Sequence, residues 1–219
     1  MIRRAAVVLA AGACLLLLQT PALAWAVYAD NIMPTSRFSG CSGGSGRENA
    51  SGGVCLTDNA SVGWWAEKPI DTTTGSDTQA EAQINASMSR SYDGTDLSTH
   101  YDTSPKFSGS GETDVVYRSR PSDFDGANTV GYYFCDDPVS GGKCDQGYIN
   151  LRRTDWSAAY MRAVVCHETG HAVGLLHPDD ATPAKSTTDT RFECMINAPV
   201  STHYGLGADP NVANINSVY

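Results

Sequence analysis

The stretch "VVCHETGHAVGLLHP", residues 164–178, decides how the rest of the chain is read. It holds three of the five histidines in a sequence of 219 residues, with one glutamate and two glycines between them. Tyr160, Val164, His167 and His171 recur at steps of four, three and four, which is one helical face. The spacing predicts a helix from about Ser157. Gly174 marks its end, because glycine takes the left-handed backbone conformation without penalty. Residues four apart stack on one face, so His167 and His171 can offer two imidazole nitrogens to one zinc ion at about 2.0–2.1 Å. Glu168 projects beside that face, placed as a general base toward the attacking water and not as a ligand. A catalytic zinc needs a third protein ligand and one open position. A continuing helix would carry His177 to the wrong side of its axis. A chain that turns back at Gly174 returns His177 to the metal.

The first residues set the compartment. Arg3 and Arg4 precede an apolar run from Ala5 to Leu18, and Ala22-Leu23-Ala24 offers small residues in an A-x-A arrangement. This reads as a secretory signal peptide over residues 1–24, cleaved after Ala24, with Ala26 as the alternative. The run is too short to span a bilayer, which takes about 20 apolar residues. Ala11-Gly12-Ala13 before Cys14 lacks the leucine of a lipid-anchoring site, so no stable membrane anchor is expected. Residues 25–219 are read as a single domain, secreted and monomeric. Without Arg3 and Arg4 the mature chain carries 13 basic and 24 acidic residues, a net charge of −11. That balance argues against nucleic acid and anionic membranes as partners.

Seven cysteines become six without Cys14. An even number in an exported chain reads as three disulfides, with fifteen connectivities open. Cys41–Cys55 and Cys135–Cys144 are the simplest pairs, since each closes a short loop rich in Gly and Ser. No CxxC spacing suggests cysteine as a zinc ligand.

The remaining pattern is mixed. Residues 39–53 are a Gly/Ser-rich excursion stapled by Cys41 and Cys55. Residues 62–67, 113–119, 128–137 and 147–153 read as strands, with a turn-rich "PVSGGK" before the last. Residues 78–89 read as an amphipathic helix carrying Ala82, Ile84 and Met88. Asp209 is placed to cap a C-terminal helix with Pro210 at its first position and Val212, Ile215 and Tyr219 beyond. Strands and helices without regular alternation indicate an α+β fold. Asn49, Asn59 and Asn85 each begin an N-x-S sequon, and His100 and His203 carry no assigned role.

His167-Glu168-x-x-His171-x-x-Gly174-x-x-His177 resembles the extended zinc motif of the metzincin metallopeptidases. The resemblance rests on residues 164–197. It implies a zinc peptidase of two subdomains, with a twisted mixed sheet, an active-site helix and a small C-terminal subdomain. Its cofactor would be Zn2+, and its substrate a protein or peptide. "ECMIN", residues 193–197, places Met195 where such enzymes carry a methionine turn beneath the metal. Two cysteines flanking neighbouring elements, Cys166 beside His167 and Cys194 beside Met195, would then meet in a third disulfide. The resemblance also implies a substrate lying antiparallel to an edge strand, for which Gly147, Tyr148, Ile149, Asn150 and Leu151 are the candidates.

The subfamily stays open between matrixin-like and serralysin-like forms. Pro178 after the third histidine is similar to serralysins, but Asn197 stands where those enzymes and astacins carry tyrosine. Calcium-binding glycine repeats are absent, and so is a "PRCGxPD" segment. The expected function is a secreted zinc-dependent endopeptidase with Glu168 as base. The alternatives are a gluzincin-type peptidase using Glu193 as third ligand, and a secreted zinc-containing binding module without turnover.

Overall fold

The computed structural model describes residues 28–37, 40–41, 54–70, 77–124 and 129–219. The signal-peptide reading over 1–24, most of the 39–53 excursion and Asn49 lie outside the described residues. The described chain is a mixed α/β structure with a mostly parallel sheet. The elements run β1 (Leu56–Thr57), β2 (Ser61–Ala66), α1 (Asp77–Ser91), β3 (Ser98–Tyr101), β4 (Val115–Ser119), β5 (Gly131–Val139), β6 (Lys143–Leu151), α2 (Ala158–Ala172) and α3 (Ala213–Ile215). No helix among the described residues is long and apolar enough to cross a membrane.

Alternation builds the sheet. Val62, Trp64 and Ala66 of β2, Val115 and Tyr117 of β4, and Ile149 and Leu151 of β6 all point into one core. The helices cover that face. On α1, Ala80, Ile84 and Met88 recur at steps of four and are buried. Ala82, expected on this face, is exposed instead, because it sits half a turn away from Ala80 and Ile84. Helix α2 is apolar nearly all round and is buried from Ala163 to Ala172. Its start is fixed by Ser157, whose Oγ accepts the Tyr160 N–H at 3.3 Å.

The sheet's pairing corrects one expectation. Strand β6 has no free edge. Along one side it pairs antiparallel with β5, from Gly131↔Leu151 to Val139↔Lys143. Along the other it pairs parallel with β1 through Lys143 and Cys144, and with β4 from Gly147 to Leu151. Residues 147–151 are therefore central, and the edge beside them belongs to β5. The turn, in which Gly141 and Gly142 both take positive φ, lays β6 back along β5, and the pairing of β4 and β1 with the other side of β6 leaves β5 outermost. The "PVSGGK" segment is half turn and half strand, with Pro138 and Val139 in β5, residues 140–142 in the turn and Lys143 in β6.

A second correction concerns the C-terminus. Asp209 does not cap the last helix with its side chain. Its carboxylate accepts the backbone N–H of Tyr28, at 3.1 Å to one oxygen and 3.3 Å to the other. The N-terminal segment is thereby tied to the chain end.

On the sheet face away from the helices, the Asp114 carboxylate is buried and accepts the Gly63 N–H at 2.7 Å. Across the strand from it, the exposed His100 flanks the same glycine. Burial pushes the Asp114 carboxyl up to about 7. The unfolded chain releases that proton near the usual carboxylate value of about 3.9. Between these values the folded state holds more protons, so this group's contribution to stability is lost as pH rises. Asp114→Asn keeps the acceptor and removes the loss. It is expected to raise the unfolding free energy by about 2 kcal/mol at pH 8 relative to the parent, and to leave it unchanged near pH 3.5. Urea unfolding of both proteins at the two pH values checks this.

Candidate metal centre

The α2 sequence carries His167 and His171 to one face, and the break after it brings His177 to them. The helix ends in a Schellman arrangement. Leu175 N–H donates to the Gly170 carbonyl at 2.8 Å, and Gly174 N–H to that of His171 at 3.2 Å. Gly174 itself sits at φ 92°, and a Cβ there would collide with Leu56. Any larger residue would thus meet both backbone strain and the sheet.

Past this turn the chain is held as an extended strand. Met33 N–H donates to the Gly174 carbonyl at 2.9 Å and Leu176 N–H to the Asn31 carbonyl at 2.7 Å. Three buried asparagines lock the arrangement. Asn31 Nδ2 donates to the Leu176 carbonyl and to Asn211 Oδ1, and Asn214 Nδ2 donates to Asn31 Oδ1. Asn211 Nδ2 reaches the carbonyls of Phe192 and Leu206. The network joins the N-terminal segment, the approach to His177 and the chain end. In sequence these asparagines read as ordinary polar residues, because nothing local reveals that Asn31 meets Leu176, Asn211 and Asn214, each more than a hundred residues away.

The three imidazoles converge. His167 Nε2 lies 3.2 Å from His171 Nε2 and 3.0 Å from His177 Nε2. The opposite ring nitrogens fix the tautomers. His167 Nδ1–H donates to the Cys194 carbonyl at 2.7 Å, and His171 Nδ1–H to the Leu175 carbonyl at 2.8 Å. Both Nε2 atoms consequently present lone pairs to one another, with no proton between them. Two facing acceptors in a buried site repel unless a cation stands among them. Tetrahedral bonds of about 2.05 Å would separate ligand nitrogens by about 3.3 Å, close to what is seen. Burial and the neighbouring rings hold His167 down to about 3 and His171 well below the usual imidazole range, and burial holds His177 below it against Asp179 and Asp180. All three are neutral at pH 7, the form that binds a metal. The trio can hold a metal ion.

Glu168 is buried against β5. A Cβ added to Gly131 would lie 2.7 Å from its Oε1, so only glycine leaves room for this carboxylate. The Tyr133 N–H donates to it, and burial raises its pKa to about 8. The free edge of β5 therefore runs directly past Glu168. Sequence reading missed Gly131 and Tyr133 here. Their part is played by missing bulk and by a backbone N–H, neither of which leaves a side-chain signal.

Met195 is fully buried, its sulfur against Gly170 between the two helical histidines. It ends a short 3-10 segment, Thr190–Met195, in which Glu193 takes φ 47°. The Glu193 carboxylate turns away from the trio and accepts from His203 Nδ1 at 2.8 Å. This removes Glu193 as third ligand and gives His203 its partner. All three disulfides form: Cys41–Cys55, Cys135–Cys144 and Cys166–Cys194. Three other groups among the described residues bring three ligand atoms within 4.8 Å: Cys41, Cys55 and Cys135, which are taken up by disulfides; His177 with Asp179 and Asp180, which shares His177; and Glu112 with Asp137 and Asp145, two of them on β5 and β6.

No family model matches the sequence, and no curated protein is significantly similar to it.

Proposed function

We propose that the chain is a secreted zinc-dependent endopeptidase of metzincin type, its catalytic domain spanning residues 25–219. The observation that carries this reading is the pairing of two features at one place. Three imidazole nitrogens converge, two of them held proton-free by their Nδ1 bonds, and a buried carboxylate that is not one of them sits beside them against the outer edge of β5. A structural site has no use for Glu168. The three disulfides fit an oxidising, extracellular destination.

Zinc held by His167, His171 and His177 would supply Lewis-acid polarisation of the scissile carbonyl. The chain's own residues do the rest. Glu168 accepts a proton from the attacking water and returns it to the leaving amine, the two halves of one base-then-acid cycle. The Cys194 and Leu175 carbonyls keep the His167 and His171 rings aimed inward. Met195 forms the floor. The peptide lies along the outer edge of β5 in place of the β6 strand expected from sequence. Val130 accepts from Arg152 N–H at 3.0 Å and so faces β6. By alternation, the N–H and C=O groups of Gly131 and Cys135 and the Tyr133 C=O face outward, with no strand beside them among the described residues, and can pair with an extended substrate, while the Tyr133 N–H is held by Glu168. Backbone pairing of this kind tolerates many sequences, so a broad protein or peptide substrate range is expected.

The test is zymography of the purified protein with and without a chelator, together with metal analysis of two variants. His177→Ala is expected to lower zinc affinity at least about 100-fold, as loss of a ligand should exceed the 10–100-fold cost of losing a supporting partner. Glu193→Ala should retain the metal. A protein that binds zinc stoichiometrically and never cleaves would instead be a binding module.

A further inference from the structure

One cavity among the described residues lies away from the histidines. It measures about 540 Å³ and opens between the end of α1, the first turns of α2 and the segment around Tyr204–Ala208. None of the metal trio lines it. It lies on the α1 side of α2, whereas Glu168 faces β5. Its wall is bonded to the back of the methionine turn, where the Gly205 carbonyl accepts the Cys194 N–H at 3.0 Å.

Two arginines face into it, Arg90 from α1 and Arg162 from α2. In a chain of net charge −9, with 24 acidic residues against 15 basic, an arginine has many possible partners. These two have no carboxylate partner among the described residues, while Lys68, Arg120, Arg153 and Arg191 each have one. Arg162 is the more informative. Its guanidinium carbon stacks over the Tyr204 ring at 4.6 Å from the centroid, which fixes the plane of the fork. Its Nε is shut off from solvent and has no acceptor. The enclosed Nε is out of reach of the cavity, so it is the outer N–H groups of the guanidinium that can meet a ligand there, and an oriented fork with an open cavity before it is the geometry that receives a two-oxygen acceptor. Asp93 at the rim cancels one of the two charges, so the site suits a small mono- or dianion and not a polyanion.

We propose that this cavity is a second binding site, for a small oxyanion (a carboxylate or phosphate group), gripped by Arg162 with Arg90 closing over it. It stands independently of the peptidase reading.

The experiment is arginine footprinting of the intact exported protein with phenylglyoxal, read residue by residue by peptide mass, in inorganic phosphate or in succinate at constant ionic strength. Either probe at about 10 mM is expected to slow modification of Arg90 and Arg162 several-fold, the range in which a site with a sub-millimolar to millimolar Kd fills. Arg37 and Arg153, which do not line the cavity, should be unaffected. Which probe protects at the lower concentration distinguishes a phosphate site from a carboxylate site. In Arg162→Gln, protection of Arg90 should need about tenfold more anion. In His177→Ala, protection should persist, which separates this site from an anion on the metal. Arg90→Gln, at the exposed rim, serves if the Arg162 variant does not fold. Equal protection at all four arginines, or none at the two in the cavity with both anions, would overturn the proposal.

Discussion

Glu168→Gln is expected to keep the fold and a full complement of zinc while losing peptide hydrolysis by about 1,000-fold, the middle of the range for a positioned acid–base group. The amide matches the carboxylate in size, and the space beside Gly131 accepts nothing larger. Its oxygen can still take the Tyr133 N–H, so no buried donor is orphaned. The amide is neutral, as burial favours for the carboxyl below about pH 8, so the substitution adds no desolvation cost. What the amide cannot do is accept the proton from the attacking water. The loss should therefore appear in kcat, with KM little changed, because edge-strand pairing to a substrate does not involve the side chain. Zinc content is measured by elemental analysis and turnover with a quenched fluorescent peptide. Loss of metal in step with activity would make Glu168 a ligand and would remove it as the base.

The helix, its break at Gly174 and the three convergent histidines were legible because all depend on local spacing. A 3.6-residue period, a glycine after the last periodic residue and a histidine three positions further on are visible within fifteen letters. The 166–194 disulfide was legible only through the resemblance, which placed two distant segments under one metal. The substrate strand was misassigned for a reason that spacing cannot address. "GYINL" and "GYYFC" are equally strand-like, and which becomes the edge depends on which of the two β4 joins, a pairing that local spacing does not reveal. Proximity in sequence to α2 favoured β6, but the strand next to α2 in the chain is not the strand next to Glu168 in space. The asparagine network was hidden for the opposite reason. Each of Asn31, Asn211 and Asn214 is unremarkable alone, and their chemistry exists only after the two chain ends meet.

Replacing both Cys166 and Cys194 with serine is expected to lower the unfolding free energy by about 3.5 kcal/mol, the chain-entropy value for closing a loop of this length. The bond spans a sequence separation of 28 and joins the residue before the first histidine to the residue before the methionine. Its effect should reach the metal by a traceable route. The Cys194 carbonyl accepts from His167 Nδ1, and the Cys194 N–H donates to the Gly205 carbonyl. Cys194 therefore orients a ligand with its backbone while its side chain holds the turn to α2. On the other partner, the Cys166 carbonyl accepts from Tyr92 at 3.0 Å, which anchors that end in the core independently of the bond. Without the disulfide the turn can shift relative to the helix, and the His167 ring loses its fixed tautomer and aim. Loss of such a supporting partner weakens metal binding by about 10–100-fold. The ligand set should not change, so excess zinc should restore activity to the double variant, and high zinc should recover part of the stability by mass action. Thermal unfolding across a zinc titration separates the two effects. A variant as stable as the parent when metal-free would refute the loop-closure effect, and one with unaltered zinc affinity would refute the link from Cys194 to His167.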